Sequence, residues 1–228
     1  MDLNNQYKNI YIIGPQSTGK TTLVNALESA FASGDDLTSS CNSTRPSIIR
    51  EVARTVMKTC NFTRDDITNS PAKALRLQEL ILKAQLKAEE AVLSGSPSTS
   101  WFISDRSGLD PIVYAKLFVG DDAAQQMISS DEWKTLEERM KNGLVILCEA
   151  GCTWLVDDGT RLMPKDEEDW LRVNSGFHEV LETLAIDSIL MSKSILDLQQ
   201  RVKIVLEAAH RANTRGKIAS STWEGLNN

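Results

Sequence analysis

An α/β fold, built on a five-stranded parallel sheet with helices on both faces, is what the sequence predicts. Three observations lead there. Short apolar runs rich in β-branched residues recur along the chain, segments of helical periodicity fill the gaps between them, and a glycine-rich phosphate loop sits between the first run and the first helix. Sheets of this kind collect their ligands at the carboxyl ends of the strands.

In chain order, Asn9 to Ile13 reads as the first strand and stops at Gly14, after which Leu23, Leu27 and Phe31 recur at helical spacing. The Ser, Gly, Asn and Asp content of Ser33 to Thr44 reads as a loop. Ser47 to Arg50 follows as a brief second strand that leads into a helix over Glu51 to Thr59. Pro71 starts a long amphipathic helix, with Ala74, Leu77, Ile81, Ala84, Ala88 and Ala91 on one face, which Gly95 and Pro97 stop. The run Trp101 to Ser104, ending on Asp105, has the continuous apolar pattern of a buried parallel strand. Helices are expected from Asp110 to about Val119 and from Asp131 to Lys141, then a fourth strand over Leu144 to Cys148. Cys152 to Arg172 is charged and aperiodic, in the place where an open sheet carries a lid. A helix near Gly176 to Ala185, a strand over Ser188 to Met191 and a last helix carrying Ile195, Leu198, Val202, Val205 and Ala209 complete the pattern. Residues 1–215 are expected to form one domain, with a flexible tail from residue 216.

Composition narrows the function classes. Hydrophobic residues at 41% and charged residues at 25% are globular values that argue against disorder. A formal charge of -6 and a pI near 5.1 supply no general attraction for nucleic acid. Met1 to Lys8 has no apolar signal-peptide region, and no apolar run approaches the ~20 residues that cross a membrane, so a cytoplasmic protein is expected. Of the cysteines, only Cys148 and Cys152 are close, without the further ligands of a zinc site.

The chemistry concentrates at Gly14-Pro15-Gln16-Ser17-Thr18-Gly19-Lys20-Thr21, which satisfies G-x-x-x-x-G-K-[ST] between a predicted strand and a predicted helix. The glycines let backbone N–H groups turn inward, the helix dipole adds positive potential, Lys20 reaches the β- and γ-phosphates, and the Thr21 hydroxyl suits Mg²⁺. Thr22 extends the nucleotide-binding set, and ATP with Mg²⁺ is the expected cofactor pair. Asp105, at the end of a buried strand, either holds the metal, accepts the proton of an attacking hydroxyl, or does both in turn; a plain helix cap is the alternative. Arg106 has the donor fork to neutralise a transferring phosphate, or forms a salt bridge. Arg161 and Arg172, in the lid segment, are candidates for the same charge or are solvated loop residues. Glu51 and Arg54 share a helical face where an acceptor would sit, or make an ordinary i, i+3 ion pair.

On these residues the chain resembles a family of small P-loop kinases and ATPases that includes the nicotinamide riboside kinase domain of NadR. The likeness covers most of residues 9–193 and rests on the P-loop with Thr22, on Glu51-Val52-Ala53-Arg54, and on Trp154-Leu155-Val156-Asp157-Asp158-Gly159-Thr160-Arg161. It implies a nucleoside/nucleotide kinase-like fold with a lid at about 152–172, and places Glu51, Arg54, Asp158 and Arg161 around the acceptor and phosphate. Asp105-Arg106-Ser107 is also similar to the acid-Arg-Ser turn of deoxynucleoside kinases, where the acid acts as base toward a sugar hydroxyl. The loop Ser33 to Thr44 and the acidic stretch Asp166 to Asp169 match neither pattern. No adenylyltransferase domain is expected ahead of this one.

Two readings from different classes follow. The first is an ATP-dependent kinase for a small nucleoside-like or riboside hydroxyl, with Lys20, Asp105, Arg106 and Arg161 as its catalytic set and Glu51, Arg54, Asp158 and Arg172 around the acceptor. The second is a nucleotide-switched ATPase that acts on a protein partner through the long helix from Pro71. A polynucleotide 5′-hydroxyl kinase would need a positive channel that the acidic composition disfavours.

Overall fold

The computed structural model describes residues 8–33, 45–95, 101–152, 164 and 166–224, with side chains described through residue 213. The five expected strands are all present: β1 (Ile10–Ile13), β2 (Ser47–Ile49), β3 (Phe102–Asp105), β4 (Leu144–Cys148) and β5 (Ile189–Met191). They form one parallel sheet in the order β2-β3-β1-β4-β5. β1 is central because its four residues are wholly buried and pair on both sides, Ile12 with Asp105 of β3 and with Ile146 of β4.

Strand alternation distributes the helices. Ile10, Ile12, Ile103, Ile146 and Cys148 face one cluster with α1 (Lys20–Ser33) and α9 (Leu198–Glu224). Tyr11, Ile13, Phe102, Val145 and Leu147 face the opposite cluster. There they meet α4 (Pro71–Leu93), α5 (Leu109–Phe118), α7 (Asp131–Asn142) and α8 (Glu167–Thr183). The helix from Pro71 starts as expected, with Ser70 capping it by accepting from the Lys73 N–H, but beyond Ile81 its buried face passes through Leu82, Gln85 and Glu89, leaving Ala84 and Ala88 half-buried and Ala91 exposed. α2 (Val52–Thr59) follows β2 directly.

Some boundaries differ from expectation. Two short helices were not foreseen, α3 (Arg64–Asn69) and α6 (Asp121–Ile128). α3 buries only Ile67 and is defined by a Thr63–Asp66 capping box, while α6 buries two alanines and Met127, so neither carries a strong apolar period. Trp101, expected in the third strand, precedes it and instead packs edge-on to Phe31 at 5.1 Å. The last part of the expected lid is helical. Asp166 caps α8 by accepting from Asp169 N–H, and Glu167, Glu168 and Asp169 fill its first turn, where the dipole favours negative charge. This accounts for the unassigned acidic stretch. Residues 153–163 of that segment, and the Ser33 to Thr44 loop beyond Ser33, lie outside the described residues. α9 continues through Glu224, into the stretch expected as a tail.

A buried polar group ties the helical layer to β3. The Glu89 carboxylate, fully buried on α4, accepts from Tyr11 Oη at 3.3 Å and Gln85 Nε2 at 3.0 Å and meets Arg139 of α7 at 3.4 Å. Gln85 Nε2 also reaches Ser104 Oγ at 3.1 Å, one residue before Asp105. Burial raises the Glu89 pKa from 4.5 to about 7, against the opposing pull of Gln85 and Arg139. Between those values the folded chain keeps a proton that the unfolded chain has released, so stability falls as pH rises through the window. Glu89→Gln should remove that slope. Urea unfolding of both proteins from pH 4.5 to 7.5 should show the variant gaining on the order of 2 kcal/mol relative to the native chain. A difference that stays flat with pH would mean that Glu89 is already ionised when folded.

Candidate functional site

The P-loop joins β1 to α1 at the carboxyl edge of the sheet, and its shape is imposed by what surrounds it. Gly14 has φ +128°, and a Cβ there would lie 2.5 Å from the Cys148 carbonyl oxygen of β4, so only glycine fits. Gly19 has φ +82° and Ser17 has φ +60°. The loop's carbonyls are held from outside the anion site. The Lys20 ammonium and the Thr18 hydroxyl (3.0 Å) both donate to Pro15 O. Trp170 Nε1 of α8 donates to Gln16 O at 2.9 Å, and Arg201 of α9 donates to Thr18 O at 3.0 Å. Lys20 is only 5% exposed. Burial, then the charge of Arg106, pulls its pKa down from 10.5 to about 8.

Thr21 Oγ1 donates to Asp105 Oδ2 at 2.6 Å, which brings the two expected metal ligands together. Asp105 is 2% exposed, and its other oxygen, Oδ1, is buried without a hydrogen-bond partner among the described residues. A buried carboxylate oxygen with an open coordination position beside a hydroxyl suits a hard cation such as Mg²⁺, which takes one or two carboxylates and completes its shell with water and phosphate oxygens.

Arg106 adopts φ +81°, a strained conformation for a side-chain-bearing residue, and ionic contacts hold it there. Its Nε donates to Glu51 Oε1 at 2.7 Å and its Nη1 to Asp110 Oδ1 at 3.0 Å. Asp110 Oδ2 also accepts from the Ser107 N–H at 2.8 Å and the Ser107 hydroxyl at 3.1 Å, so the turn after β3 is stitched closed. Glu51 takes a second arginine, Arg54 Nε at 2.7 Å. Burial works to raise the Glu51 pKa, but Arg106 and Arg54 prevail and hold it at about 2, a carboxylate at any physiological pH.

Beside this cluster opens a pocket. Glu51, Arg54, Arg106 and Ser107 form its polar end, next to Gln16 of the P-loop. Val52, Met57, Ile67, Leu77, Ile81 and Pro111 form apolar walls, with Gln78 and Tyr114 among them. Tyr114 Oη donates to Gln16 Oε1 at 2.8 Å, joining pocket to loop. Asp105 does not line this pocket; Glu51 does. Two carboxylates, Glu51 and Asp110, line the pocket, while Asp105, expected as the acceptor's base, meets the P-loop Thr21 instead. Arg172, expected near substrate, is spent elsewhere: it pairs with Asp169 at 2.8 Å, donates to Leu117 O at 3.3 Å and lies 5.4 Å over the Phe118 ring. Asp158 and Arg161 lie outside the described residues. Trp170 and Arg201 were missed in the sequence because a lone tryptophan and a helix arginine carry no motif; only the folded chain brings them to the loop.

Residues 9–201 match the AAA domain family. No curated protein sequence matches the chain. A NadR protein in complex with NR superposes with a TM-score of 0.65 at 20% identity, covering 91% of this chain and 52% of that one. Deoxyadenosine kinase from M. mycoides with bound dATP superposes at 0.55 with 13% identity, over 89% of this chain and 98% of that one. Thymidylate kinase from Candida albicans gives 0.54 at 16% identity, over 90% and 93%. The chain spans about half the length of the NadR chain it matches. At these identities the likeness is one of fold, that of the P-loop nucleoside and nucleotide kinases.

A buried ammonium with a pKa of about 8 makes anion binding pH-dependent. A bound polyphosphate raises that pKa, so affinity should be level below pH 8 and fall above it, by up to about tenfold per unit. Titration calorimetry with inorganic tripolyphosphate from pH 6.5 to 9.5 checks this, with Lys20→Ala as a variant that shows no such step.

Proposed function

Since the chain belongs to the AAA domain family that its residues 9–201 match, we propose that it is an ATP-dependent kinase that phosphorylates a hydroxyl of a small nucleoside-like or riboside acceptor. The observation that carries this reading is the pocket. A cavity with apolar walls and a Glu51–Arg54–Arg106 floor abuts a phosphate loop, which is what transfer between two bound molecules requires and hydrolysis alone does not. The solved NadR structures contain NR in one case and NAD with AMP-PNP in the other, which agrees with an acceptor of riboside type.

In this reading ATP lies with its β- and γ-phosphates in the P-loop, met by backbone N–H groups from Gln16 to Thr22 and by Lys20. Thr21 and Asp105 would hold Mg²⁺, which neutralises phosphate charge when bound. The acceptor's flat ring lies between the apolar walls, and its hydroxyl is oriented by the Glu51 carboxylate. The new bond joins the acceptor oxygen to the γ-phosphorus while the bond to the bridging oxygen of ADP breaks, and the acceptor proton passes by way of Glu51 to solvent. Because phosphoryl transfer proceeds through a loose transition state, a carboxylate with a pKa of about 2 suffices to orient the nucleophile. Arg106, fixed by two carboxylates and 3.5 Å from Gly14 O, supplies positive charge at the junction of the two sites. Arg161 and Asp158 are assigned to the transferred phosphate and the acceptor on the resemblance alone.

The test is ADP formation from MgATP with a panel of nucleosides and ribosides, nicotinamide riboside included. One compound should stimulate turnover well above the basal rate, and Lys20→Ala should abolish it. Slow hydrolysis that depends on Lys20 but responds to no acceptor would favour the partner-coupled ATPase instead. Two carboxylate variants separate the roles. Glu51→Gln should lower kcat by about a hundredfold or more while leaving ATP affinity within about threefold, as expected for loss of a positioning contact made at the reacting centre. Asp105→Asn should instead weaken the dependence of ATP affinity on Mg²⁺. If Glu51→Gln turned over normally, the acceptor would lie elsewhere.

A further inference from the structure

We propose that Trp170 and Arg201 are positioning residues that hold the P-loop open for phosphate before any nucleotide arrives. The inference deepens the nucleotide-binding reading and rests on it. A trans peptide is planar, so the carbonyl of one residue and the N–H of the next point in opposite directions. Among the described residues there are no cis peptides. Pinning Gln16 O to one side therefore aims the Ser17 N–H to the other, and pinning Thr18 O does the same for the Gly19 N–H. Those two carbonyls are the ones taken by the Trp170 indole at 2.9 Å and by the Arg201 guanidinium at 3.0 Å.

The residue between the two anchored carbonyls is Ser17, whose φ of +60° is the left-handed conformation that a side-chain-bearing residue adopts at a cost. A short loop holding such a residue would relax unless its flanks were fixed, and the flanks are fixed from two directions. Trp170 comes from the first turn of α8 and is 3% exposed, seated against Ala150 and Cys152. Arg201 comes from the first turn of α9, is also 3% exposed, and is itself oriented by donating from Nε to Ile195 O at 2.8 Å. Neither side chain faces the anion, so neither competes with phosphate for the inward N–H groups. Their part is to remove in advance the entropy that a mobile loop would lose on binding.

Trp170→Phe keeps an aromatic ring at the position and removes the donor together with part of the indole; Arg201→Leu removes the second anchor. Two measurements on the whole chain decide the matter. In ligand-free ¹⁵N–¹H spectra the Ser17 and Gly19 amide peaks should be single in the native protein and broadened or shifted in each variant. Affinity for inorganic tripolyphosphate should fall about tenfold in each variant, the size expected when one buried carbonyl loses its partner. If both amide peaks and affinity stay within twofold of the native protein, the proposal is wrong. It is equally wrong if a variant melts at a lower temperature yet its folded fraction binds tripolyphosphate as before, since the contact is then structural only. Should Trp170→Phe fail to fold, Arg201→Leu gives the answer. Native protein that binds no polyphosphate, while its variants still show altered amide peaks, would overturn the nucleotide reading and leave the anchoring intact.

Discussion

For a loop of backbone N–H groups to face an anion, its carbonyls must find partners behind it, and most of the molecule is arranged around meeting that requirement. Between β1 and α1 the chain makes a tight path past Cys148 that admits no side chain at Gly14, and it then carries Ser17 and Gly19 at positive φ. The carbonyls displaced by that path are taken by Lys20, Thr18, Trp170 and Arg201. Three of the contacts come from charged or ring donors that are themselves buried, where each hydrogen bond is stronger and an unmade one costs more. The parallel sheet supplies the rigid base, because β1 is paired on both sides and covered on both faces.

The same logic governs the charges. Lys20, Arg106, Glu51, Asp105 and Asp110 are gathered in a region largely closed to water, where isolated charges would be expensive. Glu51 and Asp110 offset Arg106, and Arg54 completes the Glu51 environment. Among the described residues Lys20 has no ion pair of comparable quality, and burial lowers its pKa to about 8. Asp105 Oδ1 is buried with no hydrogen-bond donor among them. A cation without an ion pair and an acceptor oxygen without a donor thus lie at the same loop. The strained Arg106 backbone sits at the boundary between this half of the site and the pocket, so the two halves share one residue rather than merely lying side by side.

The solved structures that share this fold hold different molecules by their own descriptions, NR in a NadR protein and dCMP with dCDP in deoxyadenosine kinase from M. mycoides. Here the phosphate loop sits at the edge of the sheet, while the wall of the neighbouring pocket is built by the segments after β2 and by the long helix α4. In this chain those segments give Val52, Met57, Ile67, Leu77 and Ile81, an apolar surface with Gln78 set into it.

The strands, the long helix from Pro71, and the P-loop were all legible in the sequence, because each is set by residues near one another along the chain. Apolar runs bounded by turn residues give strands, a 3.6-residue period gives a helix, and a glycine pair at fixed spacing gives a phosphate loop. The Thr21–Asp105 pairing was also within reach, since a motif residue at the start of α1 and an acid at the end of a parallel strand both lie at the carboxyl edge of the sheet. What the sequence could not supply was the direction in which side chains face once distant segments pack. Glu51 and Asp105 are both acids at strand ends, yet only packing sends one to the pocket and the other to the P-loop threonine. Arg172 and Arg201 are both helix arginines of the C-terminal half, yet one rides over Phe118 and the other is buried on Thr18 O. Trp170 meets Gln16 across 154 residues. Local order is written in short-range periodicity, which a single sequence displays; the division of chemically similar residues into contrasting roles is settled by long-range contacts, which exist only after the chain has closed around its sheet.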